Sequence, residues 1–343
     1  MILKQIKELQ KLLSKSQNTV IIGHKNPDGD AVGSSLGLMH YLEKKGHKAQ
    51  VIMPNDYPEF LHWMPGSETT CLFSRQNGQC LKALQRSSLI FLLDFNALHR
   101  VGSDMQQALE KCKSPIALID HHQEPDEFTY MYSDTTMSST CQMVYNFIEM
   151  MGNLPLIDKK IATCLYTGIM TDTGSFRFRS TTSTTHRIVA NLIDKGAEND
   201  KIHSNVNDSF THSRLLLLSK AISNLKILPT YKTAFITLTA EEKLLYDCQK
   251  GDTEGIVNYA LSLKGIIFGV IFIEDQEQGI IKISFRSKGK FSVNKFAKNY
   301  FDGGGHNNAA GGKSKLNMED TVTKFESLLP KYKSELLANC QVF

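Results

Sequence analysis

The sequence contains seven cysteines, Cys71, Cys80, Cys112, Cys141, Cys164, Cys248 and Cys340, and no C-x-x-C pair. Their odd number and wide scatter argue against a disulfide framework or a zinc–thiolate site, and fit a reducing compartment. Long hydrophobic runs are missing too. The longest strongly apolar stretch, Ile266 to Ile273, falls far short of the roughly 20 residues of a bilayer-spanning helix and reads as a buried strand. The leading MILKQIKELQKLL has the pattern of an amphipathic helix, with no apolar signal core or small-residue cleavage site, so the expectation is a cytoplasmic protein with no membrane partner. Trp63 is the only tryptophan and reads as a packing residue rather than a base-stacking platform. Charge of one sign is also scarce. A net charge of +4 does not suggest a protein that coats long nucleic acid, though a few local cations could hold a small anion. There is no internal repeat and no low-complexity tract. What is present is an ordinary globular balance, 41% hydrophobic and 22% charged over 343 residues, long enough for two domains.

The first half alternates short apolar runs with helical patterns. TVIIGH (19–24), KAQVIMP (48–54), SSLIFLLDF (87–95) and PIALIDHH (115–122) read as strands, and Ala31 to Lys45, closed by Gly46, as a helix. Further helices are predicted at about 139–151, 158–170 and 183–195. This alternation predicts an α/β domain over residues 1–195, a parallel sheet with helices on both faces. Residues 196–229 read as a helical linker, with Arg214 to Leu228 amphipathic. The order then changes. A strand at 233–238, a helix near 253–263 and a hairpin of 266–275 with 279–288 predict a smaller α+β domain with a mixed sheet over 230–343. GGGHNNAAGG (303–312) reads as a glycine-rich loop before a final helix.

Ligands of open α/β sheets collect beyond the carboxyl ends of the strands. The first strand runs into His24, Asp28 and Asp30 in HKNPDGDAVGS, the third ends in Asp94, and the fourth in Asp120, His121 and His122; Asp172 follows a helical pattern in GIMTDTGSF. Each has a bland reading. N-P-D-G-D alone is a turn with an aspartate helix cap, and Asp94 or Asp172 alone is a turn or cap acid. D-H-H after an apolar run is harder to dismiss, because polar groups buried without partners are costly. Four separate segments ending in acids or histidines at one sheet edge are harder still to explain as turns. Crowded carboxylates repel one another unless cations lie between them. Aspartates and histidines without a thiolate suit manganese better than magnesium or structural zinc, with cobalt or iron able to substitute. Six side-chain ligands exceed the needs of one open catalytic ion but suit two sharing a carboxylate. Such pairs lie about 3.5–4 Å apart and support hydrolysis of phosphoesters.

With these motifs in hand, the sequence resembles the DHH phosphoesterase superfamily over nearly its whole length. HKNPDGDAVGS, LLDFN, IDHH and GIMTDTGSFRF resemble its four successive motifs, and SFRSKG with GGGHNNAAGG resembles the associated DHHA1 substrate domain. The two-domain form is similar to the nanoRNase and pAp-phosphatase branch. The resemblance implies a ligand set of His24 and Asp28 on one ion, Asp30, His121 and Asp172 on the other, and Asp94 bridging them. Two such ions would activate a bridging hydroxide, and the resemblance implies that His122 faces the scissile phosphate and that Asp120 orients a neighbouring histidine. It further implies that Arg286 and His306 grip substrate phosphate or base, and that the backbone of Gly303, Gly304 and Gly305 approaches closely. Two positions depart from the family: Phe95-Asn96 follows Asp94 where many relatives carry a Ser-Asp or similar pair, and Gln142 stands where many carry glutamate.

The expected activity is therefore a manganese-dependent phosphoesterase, with magnesium or cobalt as alternatives, acting on short oligonucleotides or pAp and not on long duplex DNA. Hydrolysis of a cyclic or linear dinucleotide, such as cyclic di-AMP or pApA, would use the same ions and stays open. Pyrophosphate hydrolysis is disfavoured by the GGGH loop and SFRS strand. A non-catalytic nucleotide sensor would have no need of so complete a ligand set. A homodimer stays open, since the sequence does not disclose the oligomeric state. The lysines at 288, 290, 295, 298, 313 and 315 read as a solvated face, and Arg100 and Arg177 as structural residues as readily as substrate contacts.

Overall fold

The computed structural model describes residues 3–338; Met1, Ile2 and residues 339–343, Cys340 among them, lie outside the description. The chain divides into two compact units, Met1–Ser209 and Phe210–Phe343.

The first unit holds a six-stranded parallel sheet of β1 (Asn18–Ile22), β2 (Lys48–Met53), β3 (Cys71–Leu72), β4 (Leu89–Leu93), β5 (Ile116–Asp120) and β6 (Tyr130–Ser133), in the order β3-β2-β1-β4-β5-β6. The chain winds outward from β1 through β2 to β3, then crosses to β4 on the other side of β1. That reversal is the topological switch point, where parallel sheets open a crevice at their carboxyl ends. Ile22 pairs with Leu92 and Leu93 with Ile119, so the residues that leave β1, β4 and β5 emerge side by side.

Among the described residues the helices of this unit are α1 (Leu3–Leu12), α2 (Gly29–Lys44), α3 (Phe73–Arg86), α4 (Ser103–Glu110), α5 (Thr140–Met150), α6 (Lys159–Asp172), α7 (Ser183–Asp194) and α8 (Asn199–Asn207). Alternate strand residues feed two cores. Ile21, Phe91 and Ile119 pack with α2, α5 and α6 on one face. Val20, Leu92 and Leu118 pack with Phe73 and Leu84 of α3 and Met105 of α4 on the other. Both faces are thus apolar, which is why these strands read as continuous hydrophobic runs rather than alternating ones. Small residues let α2 lie unusually close to α6. A Cβ on Gly33 would sit 2.5 Å from the Cys164 carbonyl oxygen, and one on Gly168 would strike Cys141 Sγ and lie 2.9 Å from Asp30 Oδ1.

The second unit is a mixed sheet in the order β11-β12-β10-β9-β8-β7. It contains α9 (His212–Ser223), β7 (Lys226–Leu228), β8 (Thr233–Leu238), α10 (Ala240–Leu245), α11 (Val257–Ser262), β9 (Phe268–Asp275), β10 (Ile280–Ser287), α12 (Val293–Tyr300), β11 (Gly304–Gly305), β12 (Ala309–Ser314) and α13 (Met318–Ala338). β8 and β9 are parallel and β9 and β10 form the expected hairpin. Phe235, Phe268, Phe272, Phe285, Phe296 and Phe325 fill its core.

Two segments differ from expectation. Residues 226–228, read as the end of an amphipathic helix, form the edge strand β7 on β8. The last four residues of the glycine-rich loop belong to the strand β12, paired along β10 from Ser314–Ile281 to Ala309–Arg286. Glycine is depleted in strands, but here it is required by space, since a Cβ on Gly312 would come within 3.0 Å of both Phe285 and Phe301.

Candidate metal centre

Beyond β1, the loop to α2 holds His24 and Asp28. Asp28 is the cap residue of α2: its Oδ1 accepts from the amides of Asp30 (3.0 Å) and Ala31 (3.1 Å). The capping reading is realised by this side chain, and it leaves the other oxygen, Oδ2, facing His24 Nε2 at 3.8 Å. His24 Nδ1 donates to the carbonyl of Lys25 at 2.9 Å, which leaves Nε2 as the nitrogen presented to the site.

Asp94, one residue past β4, is 2% exposed and holds a left-handed backbone with φ of 67°. A non-glycine residue in that region is strained, and such strain concentrates at functional sites. Its amide donates to the carbonyl of Ile119 at 3.2 Å, tying the end of β4 to β5. Its two carboxylate oxygens look in different directions. Oδ2 lies 3.5 Å from His24 Nε2, whereas Oδ1 lies 3.4 Å from His121 Nε2. His121 Nε2 also lies 3.8 Å from Asp30 Oδ2 and 3.6 Å from Asp172 Oδ2, and its Nδ1 reaches the carbonyl of Met137 at 3.3 Å. Asp30 stands in the first turn of α2 and Asp172 is the last residue of α6, so the close approach of those helices brings these acids to His121.

Asp120, fully buried, binds His122 twice: Oδ1 accepts from Nδ1 at 2.7 Å and Oδ2 from the His122 amide at 3.1 Å. His122 Nδ1 lies 3.9 Å from Asp94 Oδ1. Asp94 therefore belongs to three groupings, with His24 and Asp28, with Asp30 and His121, and with Asp120 and His122, each compact enough for a metal ion.

The electrostatics of this cluster favour a cation. Burial, with the charges of Asp94 and Asp172, pushes Asp30 well above the usual carboxylate range. Burial lifts Asp172 to about 6 against the opposing pull of His121. Asp94 goes the other way: burial disfavours its charge, but hydrogen bonds from His121 and His24 hold it well below the usual range. Burial would lower His24, yet bonding to Asp28 and Asp94 raises it to about 10, and Asp94, Asp172 and Asp30 likewise raise His121 despite its burial. Protons on the histidines thus supply the positive charge that the carboxylates require, and a divalent ion that displaces them fits this donor set.

Asn96 and Gln142, at the two departures, both have hydrogen-bond partners. Asn96 Nδ2 donates to the carbonyls of Gln123 (2.8 Å) and Glu124 (3.0 Å), fastening the chain that follows His122. Gln142 is buried, and its Oε1 accepts from Ser138 (2.6 Å) and Thr185 (2.9 Å). A neutral amide can be buried there at far lower cost than a carboxylate. Sequence reasoning missed Thr140, whose hydroxyl donates to Asp94 Oδ1 at 3.0 Å. Ser-Ser-Thr before an apolar helix signals a cap, but nothing in that pattern names the carboxylate it meets.

In the second unit, Arg286 lies on β10 opposite Ala309, half-buried, with Nη1 donating to the Phe285 carbonyl at 3.0 Å. His306 and Ala309 close a tight turn through reciprocal backbone bonds of 2.7 and 3.3 Å. The Gly303 amide donates to Ala297 O and the Gly305 amide to Asn294 Oδ1, at 3.3 and 3.1 Å. A Cβ on Gly303 would strike the Gly311 carbonyl, so this turn closes only with glycine.

The family profile of the DHH family, N-terminal domain, matches residues 18–169, and that of the DHHA1 domain matches residues 238–334. The chain belongs to the DHH family. A crystal structure of an exopolyphosphatase-related protein from Bacteroides fragilis is 40% identical, with a TM-score of 0.92 and 98% of each chain covered. The bifunctional oligoribonuclease and PAP phosphatase NrnA of Thermus thermophilus is 29% identical, over 92% of this chain and 89% of that protein. The cyclic-di-AMP phosphodiesterase PdeA of Listeria monocytogenes is 25% identical over 88% of this chain, which spans only 46% of that longer protein. Among the described residues no helix is long and apolar enough to cross a membrane.

Proposed function

We propose that this DHH-family chain is a hydrolase of phosphoester bonds that cleaves short oligonucleotides and pAp with two divalent ions, manganese foremost. The observation that carries this reading is the split carboxylate of Asp94, with one oxygen toward His24 and the other toward His121. That geometry suits a bridging ligand, with His24 and Asp28 completing one ion's set and Asp30, His121 and Asp172 the other's. Divalent ions held there supply Lewis acidity for the nucleophile and for charge developing on the phosphoryl oxygens.

The remaining roles follow from the side chains. Asp120 fixes the ring of His122 and its tautomer, so that Nε2 is the nitrogen offered to substrate, where a protonated ring would offset negative charge in the transition state. Arg286, with its planar fork of donors, binds phosphate or stacks on a base, assisted by His306 and by the close backbone of Gly303, Gly304 and Gly305. The names of the NrnA relatives support short oligonucleotides and pAp as the substrate class. Likeness to the cyclic-di-AMP phosphodiesterases supports a second reading, in which the same centre opens a cyclic dinucleotide.

A substrate panel tests both. Rates on RNA of graded length, pAp, pApA and cyclic di-AMP are measured with manganese and again with chelator. The expected result is turnover of the shortest RNAs and pAp that the chelator abolishes. Preference for cyclic di-AMP selects the second reading, and failure to cleave any of them refutes both and leaves a nucleotide-binding protein.

A further inference from the structure

We infer that Thr140 is a positioning residue that sets the rotation of the Asp94 carboxylate for metal binding. The inference rests on the reading of Asp94 and Asp30 as metal ligands. Thr140 opens α5, whose cap, Ser139, accepts from the Gln142 amide at 3.0 Å. The first two amides of the helix meet Asp30: Thr140 N donates to Oδ2 at 2.6 Å and Cys141 N to Oδ1 at 2.8 Å. Asp30 is thereby clamped at both oxygens by groups that no side-chain substitution removes. Asp94 receives no such pair. The Thr140 hydroxyl, on a residue with no solvent exposure, donates to its Oδ1 at 3.0 Å.

The terminal torsion of an aspartate is soft, with no staggered wells to hold it. The two histidines meet it only at 3.4 and 3.5 Å, longer than the 3.0 Å bond from Thr140, so without the hydroxyl the carboxylate can turn away from that alignment. The hydroxyl fixes it with Oδ1 at 3.4 Å from His121 and Oδ2 at 3.5 Å from His24. A hydroxyl donor occupies one lone pair on Oδ1 and leaves the other for an ion. Serine keeps this function, and valine, nearly the same shape, abolishes it.

The test titrates manganese chloride into metal-free wild type, T140V, T140A and T140S by calorimetry, without substrate. Folding of each variant is followed by its thermal transition. Outer-shell changes typically cost about 10–100-fold in metal affinity, so T140V and T140A are expected to bind that much more weakly, with T140S close to wild type. At saturating manganese, substrate KM stays unchanged while the manganese concentration for half-activity shifts by the same factor. Wild-type affinity in a folded T140V or T140A overturns the inference. So does a T140S as weak as T140V, because packing rather than the hydroxyl would then be the cause. Absence of manganese binding in the wild type overturns instead the underlying reading of the site, and this inference with it.

Discussion

Asp94 combines four properties that seldom coincide: burial, a left-handed backbone, a carboxylate held ionised by two histidines, and a separate partner for each oxygen. Asp94→Asn preserves its volume and removes the charge proposed to bridge the ions. Manganese-dependent turnover should fall by more than the roughly 100-fold that marks the upper range of outer-shell changes, as measured by steady-state rates at saturating manganese. Asp120→Asn is a milder change of another kind. It permits the wrong ring orientation or tautomer of His122 while the proposed ligands stay intact, so kcat should drop by about 10–100-fold with little change in manganese affinity. A matching loss of affinity would show Asp120 to be a ligand instead. At this scale the acids and histidines were legible because polar residues at the ends of apolar runs stand out. Thr140 was not, because its partner is 46 residues away in sequence and a threonine at a helix start is ordinary. Asp28 shows the opposite case, where a correct bland reading, the helix cap, concealed nothing, since the second oxygen remains available.

Among the elements, α2 and α6 decide whether the site forms. Asp30 and Asp172 reach His121 only because glycine stands where these helices come closest. Gly168→Ala would place a methyl group against Cys141 Sγ and 2.9 Å from Asp30 Oδ1. Overpacking of this kind costs about 1–3 kcal/mol, which denaturant unfolding would reveal, and manganese affinity should weaken in parallel because Asp30 must move. A stable variant with unchanged affinity would show that these helices separate without consequence. The central strands and α2, α5, α6 and α7 were legible because long, strongly patterned segments carry their own signal. β3, of two residues, β6, of four, and α3 and α4 were not placed from sequence. Very short edge strands have too few residues to show a period, and α3 begins with a kink at Gln76 (φ −125°). β12 was hidden by its glycines, of which Gly312 leaves space beside Phe285 and Phe301.

For the whole molecule, the metal-free charge cluster has a consequence for stability. Asp172, raised to about 6 from 3.8 in the folded state, binds its proton more tightly there than in the unfolded chain. Its contribution is present at low pH and is lost as pH rises from about 4 to 6. His24, raised to about 10 from 6.5, behaves in the same direction between those values, and Asp30 and His121 share that sign. Asp28 and Asp94 are lowered, so their contributions change only in the acid range below the windows just given. The melting temperature of the chelated protein should therefore decline from pH 5 to pH 9 through these groups. Saturating manganese should flatten or reverse that slope, because bound ions replace the protons that leave. Parallel slopes with and without manganese would contradict this account.

The most direct measurement is an anomalous difference map at the manganese edge from crystals of the manganese-loaded protein. Two peaks are expected about 3.5–4 Å apart, one beside His24 and Asp28, the other beside Asp30, His121 and Asp172, with an Asp94 oxygen on each. A single peak, or two that do not share Asp94, would contradict the two-ion reading.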